Sequence, residues 1–320
     1  MYLKAIQFHG LKADIDHDDF YPTLAVEELE KDILAYLNDR PVRFMVMSGS
    51  VGSGKTTILK RVMDQLDESG EFLVALMVHN NPAKITEAMV TEKLLRAMGE
   101  TGGKKRIDGE RKHEIIADKM ASQGRRIILA IDDAHKLRTD TLESLKKVKE
   151  KGISVLLAAH TQLSRKLSLS YHEEAGLRSE SFEVPGIAGE VQGYLDFLLG
   201  KSGATVDLFA DDALNELARI CQTPFQVRKI AWEALKKAVI NNEKQVSLKT
   251  VHEVLPNDFS HLWVELRRLG YTAGEIAEEL NEDKKRILHC LHGRLPDDDE
   301  LYKIIGAFLY GLGIKMAVNE

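Results

Sequence analysis

The sequence predicts an α/β domain built on a parallel sheet, followed by a part made of helices alone. Three observations predict this class. Apolar runs of strand length at 44–47, 72–78, 127–131 and 153–159 alternate with amphipathic helical stretches, and strands separated by helices pair in parallel. The first run breaks into glycines, as expected where backbone must approach something closely. After Pro185-Gly186 the strand signals end and 3.6-residue periodicity takes over.

Composition agrees with such a chain. At 320 residues there is room for two or three domains, each able to bury its own core. With 44% hydrophobic and 29% charged residues the chain is an ordinary globular one, and no apolar run approaches the roughly 20 residues that span a bilayer. Met1-Tyr2-Leu3-Lys4 opens no signal-peptide apolar region. Cys221 and Cys290 stand in unrelated contexts, which speaks against a disulfide framework or a cysteine metal site. A reducing cytoplasm and no membrane association are expected. The net charge of −6 argues against coating nucleic acid through bulk charge, leaving local basic patches as the route.

In chain order, residues 1–43 form a lead-in with a polar Asp14-Ile15-Asp16-His17-Asp18-Asp19 segment and a helical pattern through Leu24, Leu29, Ile33, Leu34 and Leu37. The first strand then runs into Gly49, Ser50, Val51, Gly52, Ser53, Gly54, Lys55, Thr56 and Thr57, which satisfy G-x-x-x-x-G-K-[ST] with a strand before and a periodic Ile58, Leu59, Val62 after. This is a phosphate cradle. Its glycines permit positive φ and bring N–H groups to the phosphates, while the following helix points the positive end of its dipole at the same anion. Lys55 is expected to reach the β and γ phosphates, and the Thr56 hydroxyl to hold Mg²⁺.

The second strand, 72–78, is followed by Asn80-Asn81-Pro82 and a helix at 85–98. Residues 99–112 combine Gly102, Gly103 and Gly109 with Lys104, Lys105, Arg106, Arg111 and Lys112. A solvated surface loop and a DNA-contacting loop, with Lys104, Lys105 and Arg106 as contacts, are equally good readings. Strand 127–131 ends in Asp132-Asp133-Ala134-His135, two carboxylates at the carboxyl end of a parallel strand, where ligands of such sheets sit. Asp132 is expected to hold Mg²⁺ through water and Asp133 to orient the water that attacks the γ-phosphate. The second acid is usually Glu in such ATPases. Asp133 is one methylene shorter, so slow hydrolysis is expected.

A helix at 140–149 leads to strand 153–159, which ends in His160-Thr161-Gln162, where P-loop ATPases that this pattern resembles place a polar residue that senses the γ-phosphate; His160 and Thr161 are the candidates. Arg178, just before a fifth strand at 181–184, suits a neighbouring subunit's γ-phosphate, because a guanidinium binds phosphate bidentately. A surface ion pair explains it as well. In the helical part, Leu214, Leu217, Ala218 and Cys221 mark one helix and residues 227–239 a longer one, where Arg228 is placed to meet the nucleotide.

Together these residues resemble a branch of the AAA+ P-loop ATPases. The resemblance rests on Gly49 to Thr57, Ile131-Asp132-Asp133-Ala134-His135, Leu156-Leu157-Ala158-Ala159-His160-Thr161-Gln162-Leu163 and the helices after Pro185. That branch contains general secretion pathway protein A ATPases and the ATP-binding regulators of DNA transposition; Tyr2-Leu3 and Phe8-His9-Gly10-Leu11 are similar to the start of the secretion-type members. It implies self-assembly with ATP between subunits. Two departures stand out. Thr223-Pro224-Phe225 puts phenylalanine where the branch commonly has the arginine of Gly-x-Pro-Arg, and the membrane segment and cell-wall-binding domain usual in secretion-type members are not apparent.

Residues 256–320 spell helix, turn, helix. Thr272 with Glu275 forms a capping box, Ile276, Ala277 and Leu280 one apolar face, and Ile287, Leu288 and Leu291 the next. The pattern resembles a lambda-repressor-like helix-turn-helix, a module also attached to the Mu-type target-DNA activator ATPase. Eight Lys plus Arg stand against twelve Asp plus Glu, which penalises an approach to phosphate, although Lys284, Lys285 and Arg286 open the recognition helix. Protein docking is the competing use.

The reading is thus an AAA+ core at 1–186, a small helical lid at 187–255 and a helix-turn-helix module at 256–320. The expected protein oligomerises with ATP on duplex DNA as a ring or helix and recruits or activates a transposase. Two alternatives are a secretion-type assembly ATPase and a nucleotide-switched DNA-binding regulator with little turnover.

Overall fold

The computed structural model describes residues 1–17, 19–39, 42–50, 52–100, 114–116, 118–119, 122, 124–160, 163, 179–187, 189–221, 223–254, 266, 271–280, 282–296 and 301. They divide into two compact units, one of residues 22–50 and 54–185, the other of residues 1–21, 51–53 and 186–320.

The first unit is a five-stranded parallel sheet. Its strands are β1 (Phe44–Ser48), β2 (Phe72–Met77), β3 (Arg126–Ile131), β4 (Ser154–Ala159) and β5 (Glu180–Glu183), in the spatial order β2-β3-β4-β1-β5. β1 and β4 are buried at every position, as parallel strands covered on both faces must be, whereas the edge strand β5 is largely exposed. β1 lies between β4, where Met45 pairs with Leu156, and β5, where Met45 pairs with Glu180. The chain leaves β1 for the far edge β2 and returns strand by strand, so the order reverses at β1, and the carboxyl end of the strand at such a reversal is where open parallel sheets bind ligands.

Helices cover the sheet. α2 (Leu24–Asp39) packs on α3 (Lys55–Glu68), and α3 on β2 and β4. A nearly buried Glu30 on α2 accepts two hydrogen bonds from Arg61 of α3, at 2.6 and 3.1 Å, a bidentate pairing that fixes how these helices cross. α4 (Glu87–Ala97) packs on β2, and α5 (Thr139–Glu150) on β4. The core joins Val46, Leu129 and Leu157 of the strands to Leu94 of α4 and to Leu142 and Leu145 of α5.

The second unit is helical: α1 (Tyr2–Phe8), α6 (Val191–Lys201), α7 (Asp211–Ile220), α8 (Pro224–Asn241), α9 (Leu248–Glu253), α10 (Ala273–Leu280) and α11 (Lys284–Leu291). α8 starts at a full capping box, with Thr223 accepting from the Gln226 N–H, Gln226 accepting from the Thr223 N–H, and Pro224 at the first turn, where no donor is needed. The N-terminal segment, read from sequence as a lead-in to the cradle, groups with this unit. Ala5, Leu11 and Ile15 join its core, Tyr2 meets Trp232 edge to face, and His9 Nε2 lies 3.0 Å from the Leu235 carbonyl.

α10 and α11 share their own apolar cluster of Tyr271, Ala273, Ile276, Ala277, Ile287, Cys290 and Leu291. The capping box read at Thr272 is present, since Glu275 accepts from the Thr272 N–H at 2.8 Å and Thr272 from the Glu275 N–H at 3.2 Å. Asp283 caps α11 through the N–H groups of Lys285 and Arg286. Both cysteines are buried, Cys221 in the core of the helical unit and Cys290 in the cluster of α10 and α11. Among the described residues, no helix is long and apolar enough to cross a membrane.

Candidate nucleotide site

The cradle follows β1 and ends where α3 begins at Lys55. Gly52 and Gly54 adopt φ of +78° and +93°, left-handed values at which a side chain would be strained. Gly54 is also the N-cap of α3, so no side chain caps its first N–H groups and they are left to an anion. Ser53 is buried with its hydroxyl unpartnered, a polar atom that a phosphate oxygen would satisfy. Residues 51–53 group with the helical unit. There the Gly52 carbonyl accepts from the Phe225 N–H at 3.3 Å, and a Cβ on Gly52 would lie 2.4 Å from that of Phe225, a second reason for glycine. Val51 lies outside the described residues.

Lys55 folds back onto its own loop. Its Nζ donates to the carbonyls of Gly49 at 3.0 Å and Ser50 at 2.7 Å. Burial of the ammonium lowers its pKa to about 8; the carboxylates of Asp133 and Asp132 resist that fall and the charge of Lys136 adds to it. The lysine is thus parked on carbonyl oxygens, ready to exchange them for a stronger anionic acceptor.

Thr56 joins the two halves of the site. Its hydroxyl donates to Asp132 Oδ2 at 2.7 Å, across 76 residues of sequence. Asp132, nearly buried at the end of β3, uses Oδ1 to accept the Asp133 N–H at 2.9 Å, so its orientation is fixed from both sides. This hydroxyl and carboxylate are hard oxygen donors that suit Mg²⁺, an ion that takes few protein ligands and completes its shell with water and substrate phosphates. Among the described residues there is no cluster of three or more His, Cys, Asp or Glu that would hold a metal by itself.

Asp133 has a left-handed backbone (φ 53°) and starts a 3-10 turn, Ala134–Lys136. Its carboxylate pairs with Lys136 Nζ at 2.7 Å. His160, at the end of β4, is almost fully buried, and its N–H points at His135 Nδ1 across 3.4 Å, which requires that nitrogen to be unprotonated. The two rings meet edge to face. His135 and Lys136 were not singled out from sequence. The only signal was their place directly after the two aspartates, because a pairing three residues apart is set by the local turn and a contact to β4 by the sheet.

The other expected site residues belong to the helical unit or lie outside the described residues. Arg228 lies in the first turns of α8, where its guanidinium is 3.0 Å from Asp16 Oδ1 and donates to the His17 carbonyl at 2.6 Å, within the helical unit. Lys284, Lys285 and Arg286 are exposed on the first turn of α11, with Arg286 3.3 Å from Glu282. Lys104, Lys105, Arg106, Thr161 and Arg178 lie outside the described residues.

A nucleotide cradle at the carboxyl end of β1, an interior strand of a five-stranded parallel sheet, defines a P-loop ATPase domain, and comparison with known proteins narrows the class. Residues 39–167 match the family described as AAA domain, so this part of the chain carries an AAA-family ATPase domain. The chain is 26% identical over 208 residues to general secretion pathway protein A of Aeromonas hydrophila, an alignment that covers 62% of this chain and 38% of that protein. Among solved structures it is similar to Cdc6p of Pyrobaculum aerophilum, with a TM-score of 0.55, 15% identity and coverage of 88% of this chain and 89% of that one. It is similar also to the ORC1 protein of Aeropyrum pernix in complex with DNA, with a TM-score of 0.52, 16% identity and coverage of 93% and 86%. At these identities the likeness establishes the fold.

Proposed function

We propose that the protein is an ATPase that assembles with ATP on duplex DNA and there recruits or activates a DNA-transposing enzyme. The observation that carries the ATPase part is the hydrogen bond from Thr56 to Asp132, which unites cradle and acidic strand end in one oxygen-lined site beside Lys55. Lys55 would bind the β and γ phosphates, Thr56 and Asp132 would hold Mg²⁺, Asp133 would orient the attacking water, and His160 would report on the γ-phosphate. The metal would neutralise phosphate charge. Arg228 would contact the bound nucleotide, and Arg178 would complete the site of a neighbouring copy. The short Asp133 would make hydrolysis slow, so that bound ATP acts mainly as an assembly signal.

The DNA part has two supports. One is the exposed Lys284, Lys285 and Arg286 on a helix capped by Asp283, in a segment whose sequence resembles a helix-turn-helix module; Lys104, Lys105 and Arg106 would add contacts. The other is that the similar Aeropyrum ORC1 structure is a complex with DNA. The experiment is binding of fluorescent duplex DNA with and without ATP, alongside the oligomer size by light scattering. ATP should raise both. No effect of nucleotide on either would overturn the reading.

A second reading, an assembly ATPase for secretion, is favoured by the Aeromonas relative. It predicts ATP-dependent assembly that duplex DNA leaves unchanged, so the same experiment separates the two.

A further inference from the structure

Lys136 belongs to neither sequence motif, yet its ammonium lies 2.7 Å from Asp133 Oδ2. Local backbone builds the pair. Asp133 turns left-handed at the end of β3, and the Lys136 N–H donates to the Asp133 carbonyl at 3.0 Å, so side chains and main chain close the same turn. From the other side the turn meets β4 through His135 and the His160 N–H. A carboxylate that orients water must aim a free lone pair at it. In this arrangement Oδ2 accepts from Lys136, which holds the carboxylate against its own turn and so fixes the direction in which its remaining lone pairs point.

We infer that Lys136 is a positioning residue that holds Asp133 in a resting arrangement, from which the carboxylate must be released before hydrolysis. The inference rests on the proposed role of Asp133 as the water-orienting acid. The restraint is weak enough to be reversible, because both partners are close to half exposed, at 42% for Asp133 and 49% for Lys136. Exposed pairs of this kind are worth about 0.2–1 kcal/mol, or up to about five-fold in a rate. The charge of Lys136 also reaches Lys55, so the pair belongs to the electrostatics of the nucleotide site.

The test is single-turnover ATP hydrolysis by the full chain at saturating ATP for wild type, Lys136→Ala, Lys136→Arg, Asp133→Asn and the Asp133→Asn, Lys136→Ala double variant, with ATP affinity measured in parallel. Lys136→Ala should hydrolyse about two- to five-fold faster at unchanged affinity. Lys136→Arg, which keeps the pair, should stay at the wild-type rate. The double variant should match Asp133→Asn, since the lysine acts only through the aspartate. If Asp133→Asn is slow and Lys136→Ala is no faster than wild type, the restraint is overturned while the role of Asp133 stands. If Asp133→Asn hydrolyses at the wild-type rate, the role of Asp133 falls and the restraint with it.

Discussion

Lys55 donates to the carbonyls of Gly49 and Ser50, and the cost of burying its charge appears as a pKa lowered to about 8. Phosphate binding needs the ammonium. Below about pH 8 it is already protonated and ATP affinity should not depend on this group. Above it, a proton must be taken up on binding and the affinity should fall by at most about tenfold per pH unit. Lys55→Met should bind ATP far more weakly and lose this pH dependence; titration of a fluorescent ATP analogue between pH 7 and 9 measures both. Thr56→Val should keep the fold, because the hydroxyl is on an exposed residue, but should abolish the magnesium dependence of ATP binding; unchanged magnesium dependence would remove Thr56 from the metal site.

Among the elements, α8 carries the clearest dependence on single side chains. Thr223→Ala would remove the hydroxyl half of its capping box and should cost about 1 kcal/mol in chemical unfolding. Gly52→Ala should cost more, about 1–3 kcal/mol, since it adds a strained φ to an overlap with Phe225. The phenylalanine at the position where the resembling branch commonly has an arginine is therefore the residue that closes around this glycine, and because the overlap is with its Cβ, Phe225→Arg should not rescue Gly52→Ala. At the far end, Asp283→Ala should loosen the first turn of α11 by about 0.5–2 kcal/mol and with it the placement of Lys284, Lys285 and Arg286.

For the whole molecule, a chain of net charge −6 must bind DNA through local patches if it binds at all. Replacing Lys284, Lys285 and Arg286 together by alanine should weaken duplex binding and lower the salt dependence of log K by about 0.9 for each phosphate that is no longer neutralised. Binding that keeps its affinity and salt slope would place the DNA-binding surface elsewhere. Asp132→Asn should block hydrolysis, and if turnover dissolves the assembly, complexes of that variant with ATP and DNA should outlast those of the wild type in light scattering.

The sequence by itself determined the sheet class, the cradle from Gly49 to Thr57, the Asp132-Asp133 strand end and the capping box at Thr272, because each depends on residues close together in the chain. Hydrophobic period and local hydrogen bonding are short-range, and short-range physics is written in order along a sequence. Only the tertiary structure decided that Thr56 reaches Asp132 across 76 residues, that His135 meets the end of β4, that Arg228 lies against Asp16 and His17, and that the N-terminal segment joins the helical unit. These pairings are set by strand order and helix packing, which bring together groups that no spacing rule connects. Lys136 stands between the two cases. Its partner is three residues away, but only the left-handed turn at Asp133 brings ammonium and carboxylate together.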